Sequence, residues 1–159
     1  MRIDEWRAEG EIVSVRYQIV VDVHNPVREV TFWAAALGYQ AEPPPNGFDS
    51  WEAYWTRIGI PASEFSEGSD GLIDPEREGP RIWFHKVPES KTCKNRLHFD
   101  IGVSGGFGVP MSTRRDRVEA EASRLERLGA TRLETLEQAG VEAYAVAMAD
   151  PEGNEFDIN

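Results

Sequence analysis

The chain has 159 residues, with 17 basic and 28 acidic side chains and a net charge of -11. That balance excludes nucleic acid and anionic membrane as partners, since both demand a basic surface; a cationic small molecule would be tolerated. With 40% hydrophobic residues, the length suits one domain or two small modules sharing a core.

No run approaches the roughly 20 apolar residues needed to span a bilayer, and Met1-Arg2-Ile3-Asp4-Glu5 lacks the basic and then apolar character of a secretory signal. The expectation is a cytoplasmic protein, monomer or homodimer. Cys93 is the single cysteine, so no internal disulfide forms and any metal site must use N and O donors.

Residues 1–15 form a mixed, charged N-terminal arm with Trp6, Ile12, Val13 and Val15 as apolar anchors. Arg16 to Val23 is rich in β-branched residues and predicts the first strand. Asn25-Pro26 supplies a helix cap with proline at the first helical position, Val30, Trp33, Ala34 and Leu37 recur at helical spacing, and Gly38 is the stop. Residues 40–70 read as an insertion: Pro43-Pro44-Pro45 is a stiff spacer, and Phe48 to Trp55 is an aromatic-rich short helix ending before Gly59. Gly71 to Val87 reads as strand, turn, strand, with Asp74-Pro75 and Gly79-Pro80 at the turn.

In Lys94 to Val103, Leu97, Phe99 and Ile101 alternate with His98, Asp100 and Gly102. As a strand it would show an apolar face to one side and a histidine and an aspartate to the other. Ser104 to Pro110 is a glycine-rich loop that fits no phosphate-binding pattern. Ser112 or Thr113 can cap a helix through Leu128, with Val118, Ala122, Leu125 and Leu128 on one stripe and Gly129 as the stop. Thr131 to Leu136 and Glu142 to Ala149 pair around Ala139-Gly140, Asp150 to Asn154 is a turn, and Glu155 to Ile158 alternates as a final strand.

The two halves repeat one order: strand, helix ending in Leu-Gly, strands, Asp-Pro-Glu turn, strand. Gln18 sits before Val23 as His98 sits before Val103, at an offset of 80, and Asp74-Pro75-Glu76 matches Asp150-Pro151-Glu152. The fold class expected is α+β, two paired βαβββ modules (16–90 and 94–159) forming a curved mixed sheet around one cleft, because each module's exposed sheet face must be covered by the other.

Phe32-Trp33 with Leu37-Gly38-Tyr39, Gly79-Pro80-Arg81, Lys94 to Asp100, Leu128-Gly129-Ala130 and Asp150 to Phe156 together resemble the vicinal oxygen chelate superfamily. These are the glyoxalase-like domains also described with bleomycin-resistance proteins and ring-cleaving dioxygenases. The resemblance implies a metal held by inward residues of the first and last strand of each module. Carried over, these are Gln18, His98 and Glu155, with His85 as a fourth ligand and Zn, Ni, Mn or Fe as the ion. Treating Arg77-Glu78 as an insertion sets Arg81 at the place Glu155 holds. There it would either repel a metal or pair with Glu155, so the site reads with metal or without.

With metal, the resemblance implies lyase, isomerase or dioxygenase chemistry on a small substrate with vicinal oxygens, Glu155 moving a proton and Arg81, Trp83, Asp100, Trp33 and Trp55 contacting the substrate. Without it, the chain would be a small-molecule binding or sequestering protein whose tryptophans suit a cationic aromatic ligand. The aromatic insertion is expected at the rim of the cleft.

Overall fold

The computed structural model describes residues 17–65, 68–137 and 143–159. The N-terminal arm and the turn around Ala139-Gly140 lie outside the described residues.

Strand β1 (Gln18–Val23) leads into helix α1 (Pro26–Leu37). The Asn25 side chain accepts from the Arg28 N–H at 3.1 Å, Pro26 occupies the first turn, and Gly38 ends the helix at φ 70°. Among the described residues no atom outside its neighbours lies within 4 Å of a Cβ built on Gly38, so Gly38→Ala meets only the backbone cost of a left-handed residue. A loss of about 1–2 kcal/mol is expected, read as a lower Tm with the secondary structure unchanged.

Strand β2 (Gln40–Ala41) is only two residues long, and helix α2 (Trp51–Ile58), capped by the Ser50 hydroxyl on Ala53 N–H, follows. After a 3-10 turn at Ala62–Glu64 come strands β3 (Gly71–Ile73) and β4 (Arg81–Lys86). The second half runs through β5 (Asp100–Ile101), helix α3 (Met111–Arg127), β6 (Thr131–Glu137), β7 (Tyr144–Ala149) and β8 (Glu155–Ile158). Each half makes one four-stranded sheet of the same order, β1-β4-β3-β2 and β5-β8-β7-β6, with the first strand parallel to the last and the other pairs antiparallel. The repeated βαβββ unit is therefore present in the fold. Among the described residues no helix is long and apolar enough to cross a membrane.

Two sequence expectations change. The stretch from Lys94 to Val103 is not one long strand: only Asp100–Ile101 is strand, with the Phe99 carbonyl accepting from Asp157 N–H at 2.8 Å, and residues 87–99 form an irregular strap with several bends. Helix α3 starts at Met111 after Pro110, with no side-chain cap; Ser112 and Thr113 fall inside its first turn.

The core joins the halves. In β1 and β4 the buried phase is Val23, Ile82 and Phe84, facing α1; in β7 and β8 it is Val146, Met148, Phe156 and Ile158, facing α3 with Val118, Ala122 and Leu125. Helix α1 crosses that division. Its Trp33 ring stands edge-on to Phe99 at 5.2 Å and to Phe156 at 5.2 Å, and Phe32 lies 6.0 Å from Phe156. Aromatic pairs of this geometry add to their area burial, so the first module's helix is completed by the second module's strands.

Candidate functional site

The Asp-Pro-Glu turns place the sites. Asp74 accepts from the backbone N–H of Glu76, Glu78 and Gly79, and Asp150 accepts from Glu152 and Asn154, so one carboxylate organises each turn. The fourth residue is left-handed in both, Arg77 at φ 60° and Gly153 at φ 89°, and each donates to the carbonyl of its aspartate. Arg77 is thus the counterpart of Gly153 and not an insertion.

The ladders then fix the equivalence between halves. Val23 pairs with Lys86 and its carbonyl accepts from Val87 N–H; Ile101 pairs with Ile158 and its carbonyl accepts from Asn159 N–H. These ladders make the first-strand offset six more than the last-strand offset (81 minus 18 against 157 minus 100), and the antiparallel pairs Leu72 with Ile82 and Met148 with Phe156, with Asp74 matched to Asp150, set the last strands at 156 minus 82, an offset of 74, and so the first strands at 80. Both equal the offsets read from the sequence, the two extra residues of the first half falling between Arg77 and Arg81. His98 thus corresponds to Gln18, Asp100 to Val20, Asp157 to Trp83, and Glu155 to Arg81.

A cavity of about 520 Å3 opens between β1, the strap and the 150–155 turn, within the size range of small-molecule sites. Ile19, Val20, Val21, Trp33, Leu97 and Phe99 give it apolar walls, and Asp22, Asn95, Arg96, His98, Asp150, Asn154 and Glu155 give it polar ones.

On the second module His98 Nε2 lies 3.6 Å from Asp100 Oδ1 and 3.4 Å from Asp157 Oδ2. One ligand atom from each of the three lies within 4.8 Å of the others. Donors about 2.1 Å from a common tetrahedral ion stand about 3.4 Å from one another, so the three fit one ion with little closure. Burial, first, and the neighbouring Asp100 carboxylate hold the Asp157 carboxyl above the ordinary range, against the opposing pull of His98. A cation between the two aspartates would relieve that.

Glu155 is occupied otherwise. Its Oε2 accepts from Asn95 N–H at 2.6 Å and lies 3.6 Å from Lys91 Nζ, and its Oε1 lies 3.9 Å from Lys94 Nζ. The Asn95 hydrogen bond, then the two lysines, hold its carboxyl below the ordinary range. Arg81 does not pair with Glu155 but with Glu42, its Nε donating to Oε2 at 2.8 Å, and its Nη1 donates to Gln18 Oε1 at 2.7 Å. Gln18 and Arg81 thus sit together on the first sheet, and neither lines the cavity. His85 Nδ1 hydrogen-bonds Asp22 Oδ1 at 3.1 Å, and the Trp83 ring lies 4.9 Å from the imidazole.

Of the residues expected to meet substrate, Trp33 lines the cavity with its indole N–H donated to Asp150 Oδ2 at 3.1 Å. Trp55 does not line it: its ring lies 5.7 Å from Trp51 and 5.4 Å from Phe65, and Trp51 donates to the Glu42 carbonyl. The aromatic insertion is a small cluster of its own. Asp157, Asp22 and Arg96 went unnoticed as site residues. The signal for Asp157 was the alternation of Glu155-Phe156-Asp157, which puts both acids on one face; that for Asp22 was its place on the same face of β1 as Gln18.

Residues 18–159 match the Glyoxalase-like domain family, and the chain belongs to it, within the vicinal oxygen chelate superfamily. Solved structures share the fold at low identity. One is the fosfomycin resistance protein FosX from Listeria monocytogenes, complexed with Mn(II) and a dihydroxypropylphosphonic acid. It has a TM-score of 0.58 and 11% identity, covering 93% of this chain and 92% of that one. Another is a glyoxalase/bleomycin resistance protein/dioxygenase family enzyme from Burkholderia phytofirmans, with a TM-score of 0.54 and 16% identity, covering 89% and 94%. No curated protein matches the chain by sequence.

Proposed function

We propose that the chain is a metal-dependent glyoxalase-like enzyme whose divalent ion is held by His98, Asp100 and Asp157, acting on a small molecule with vicinal oxygens in the neighbouring cavity. The observation that carries this is the convergence of one imidazole and two carboxylates, 3.4 and 3.6 Å from the histidine nitrogen, beside a cavity that His98 lines. Two carboxylates and one imidazole suit Mn or Fe(II) better than an ion that seeks thiolate. FosX, of the same fold, is complexed with Mn(II).

A bound ion would supply Lewis acidity toward the substrate oxygens. The chain's own residues do the rest. Arg96 lines the cavity and no ion pair takes up its guanidinium among the described residues, which favours a substrate bearing an anionic oxygen. Asp22 holds the His85 Nδ1–H at 3.1 Å, leaving Nε2 to take or give a proton. Glu155, with its charge stabilised by Asn95 and two lysines, is a weak base and serves to hold the strap against the turn.

Elemental analysis after purification without chelators, followed by titration of stripped protein with Mn(II), tests the reading. At a hundredfold excess over Kd the ion should stabilise the fold by about 2.7 kcal/mol, a rise in Tm of roughly 5–11 °C for this size. No metal on purification and no shift with Mn(II), Fe(II), Ni(II) or Zn(II) would leave the metal-free binding protein as the reading, with the apolar wall from Ile19 to Val21, Leu97 and Phe99 as its ligand face.

A further inference from the structure

The N-terminal turns of α1 dock on the 150–154 turn of the other module. Glu152 accepts from His24 N–H at 2.6 Å and also from Asn25 N–H, and Arg28 Nη2 donates to the Pro151 carbonyl at 2.8 Å. Glu29 and Trp33, one helical turn apart on α1, both face Asp150.

Glu29 is fully buried, and among the described residues neither of its carboxyl oxygens has a hydrogen-bond donor. Two ionised carboxylates side by side in that setting would be costly. Asp150 is the one of the two that has donors. Its Oδ1 accepts from Glu152 and Asn154 N–H, and its Oδ2 accepts from Trp33 Nε1 at 3.1 Å and Asn154 Nδ2 at 2.8 Å. Four donors fix the charge on Asp150, which leaves Glu29 as the acid. The charged groups facing Glu29 agree: Asp150 and Glu152 from the turn oppose its ionisation, and on its own helix Arg28 favours it, with Nε 3.7 Å away and the guanidinium shared with Glu152.

We propose that Glu29 is a positioning residue for the cavity: held as a neutral carboxylic acid, it donates its proton to Asp150 and so fixes Asp150, Trp33 and Asn154, three walls of that cavity. Burial, with Asp150 and Glu152 beside it, pushes its pKa up to about 9.

The linkage has a definite sign. Between the ordinary carboxylate pKa of about 4.5 and about 9 the folded chain binds one more proton here than the unfolded chain, so this group's contribution to stability falls as pH rises through that window. Glutamine has the same shape and an N–H to donate without needing that proton. The ratio of folding constants, Glu29→Gln over wild type, should therefore rise about tenfold per pH unit across the window and level off above it.

Carboxyl-carbon NMR on the metal-free wild type is the direct measurement. Glu29 should show the protonated shift at pH 7 and titrate near 9, and the Trp33 indole N–H resonance, assigned with Trp33→Phe, should move with the same midpoint. In Glu29→Gln that resonance should stay at its low-pH wild-type position up to pH 10. A Glu29 carboxyl that titrates in the ordinary range overturns the proposal, as does a Trp33 resonance that moves alike in wild type and Glu29→Gln. The wild-type carboxyl titration decides the matter even if the variant does not fold.

Discussion

His98→Ala is expected to lower Mn(II) affinity by more than about a hundredfold, the upper end of what losing even an outer partner of a metal ligand costs. Here a ligand itself is lost. The fold should barely notice, because the imidazole is half exposed and the strap around it is not strand; surface changes of this kind usually stay within about 0.5 kcal/mol. Two companions assign the rest of the set. Asp157→Asn should weaken the ion comparably, whereas Gln18→Ala should not, since its amide oxygen is engaged by Arg81 at 2.7 Å. Isothermal titration with Mn(II) reads all three, and equal loss in Gln18→Ala and Asp157→Asn would return the site to the ligands carried over from the resemblance.

Phe156→Ala is expected to destabilise the protein by about 3–5 kcal/mol. The ring is fully buried and meets Phe32 and Trp33 across the line between modules. Its removal opens a void that neither sheet can close alone. Urea unfolding should show a lower midpoint with one transition still, because the lost contact belongs to both halves. A second transition, with one half melting first, would mean that each module carries its own core.

The repeat was legible because it rests on local chemistry. Asn25-Pro26 and Gly38 bracket α1 through cap and left-handed stop, and the Asp-Pro-Glu turns are built by one carboxylate each, so both appear in sequence as fixed spacings. The site was legible only to within two residues. The alternation of a strand is indifferent to a slip of two: Glu155 and Asp157 share a face, as do Gln18, Val20 and Asp22. Only the partners each side chain meets distinguish the alternatives: Glu155 accepts from Asn95 N–H, whereas Asp157 lies 3.4 Å from His98. The partner of Arg81 was hidden for a similar reason. Glu42 lies 39 residues away in the insertion, where no periodicity relates it to β4.

The placement of α1 also sets a timetable for synthesis. Trp33 hydrogen-bonds Asp150, 117 residues further along the chain, and at roughly 5–20 residues per second the ribosome takes about 6–23 s to make that stretch. Through this interval Phe32 and Trp33 have no Phe156 to meet, Phe99 arrives only 66 residues after Trp33, and β1 lacks β4 until residue 86 is made. The nascent first half thus presents an aromatic helix face and a bare strand edge. It is the product that a trigger-type holding chaperone would protect, and that aggregates when synthesis stalls between the modules.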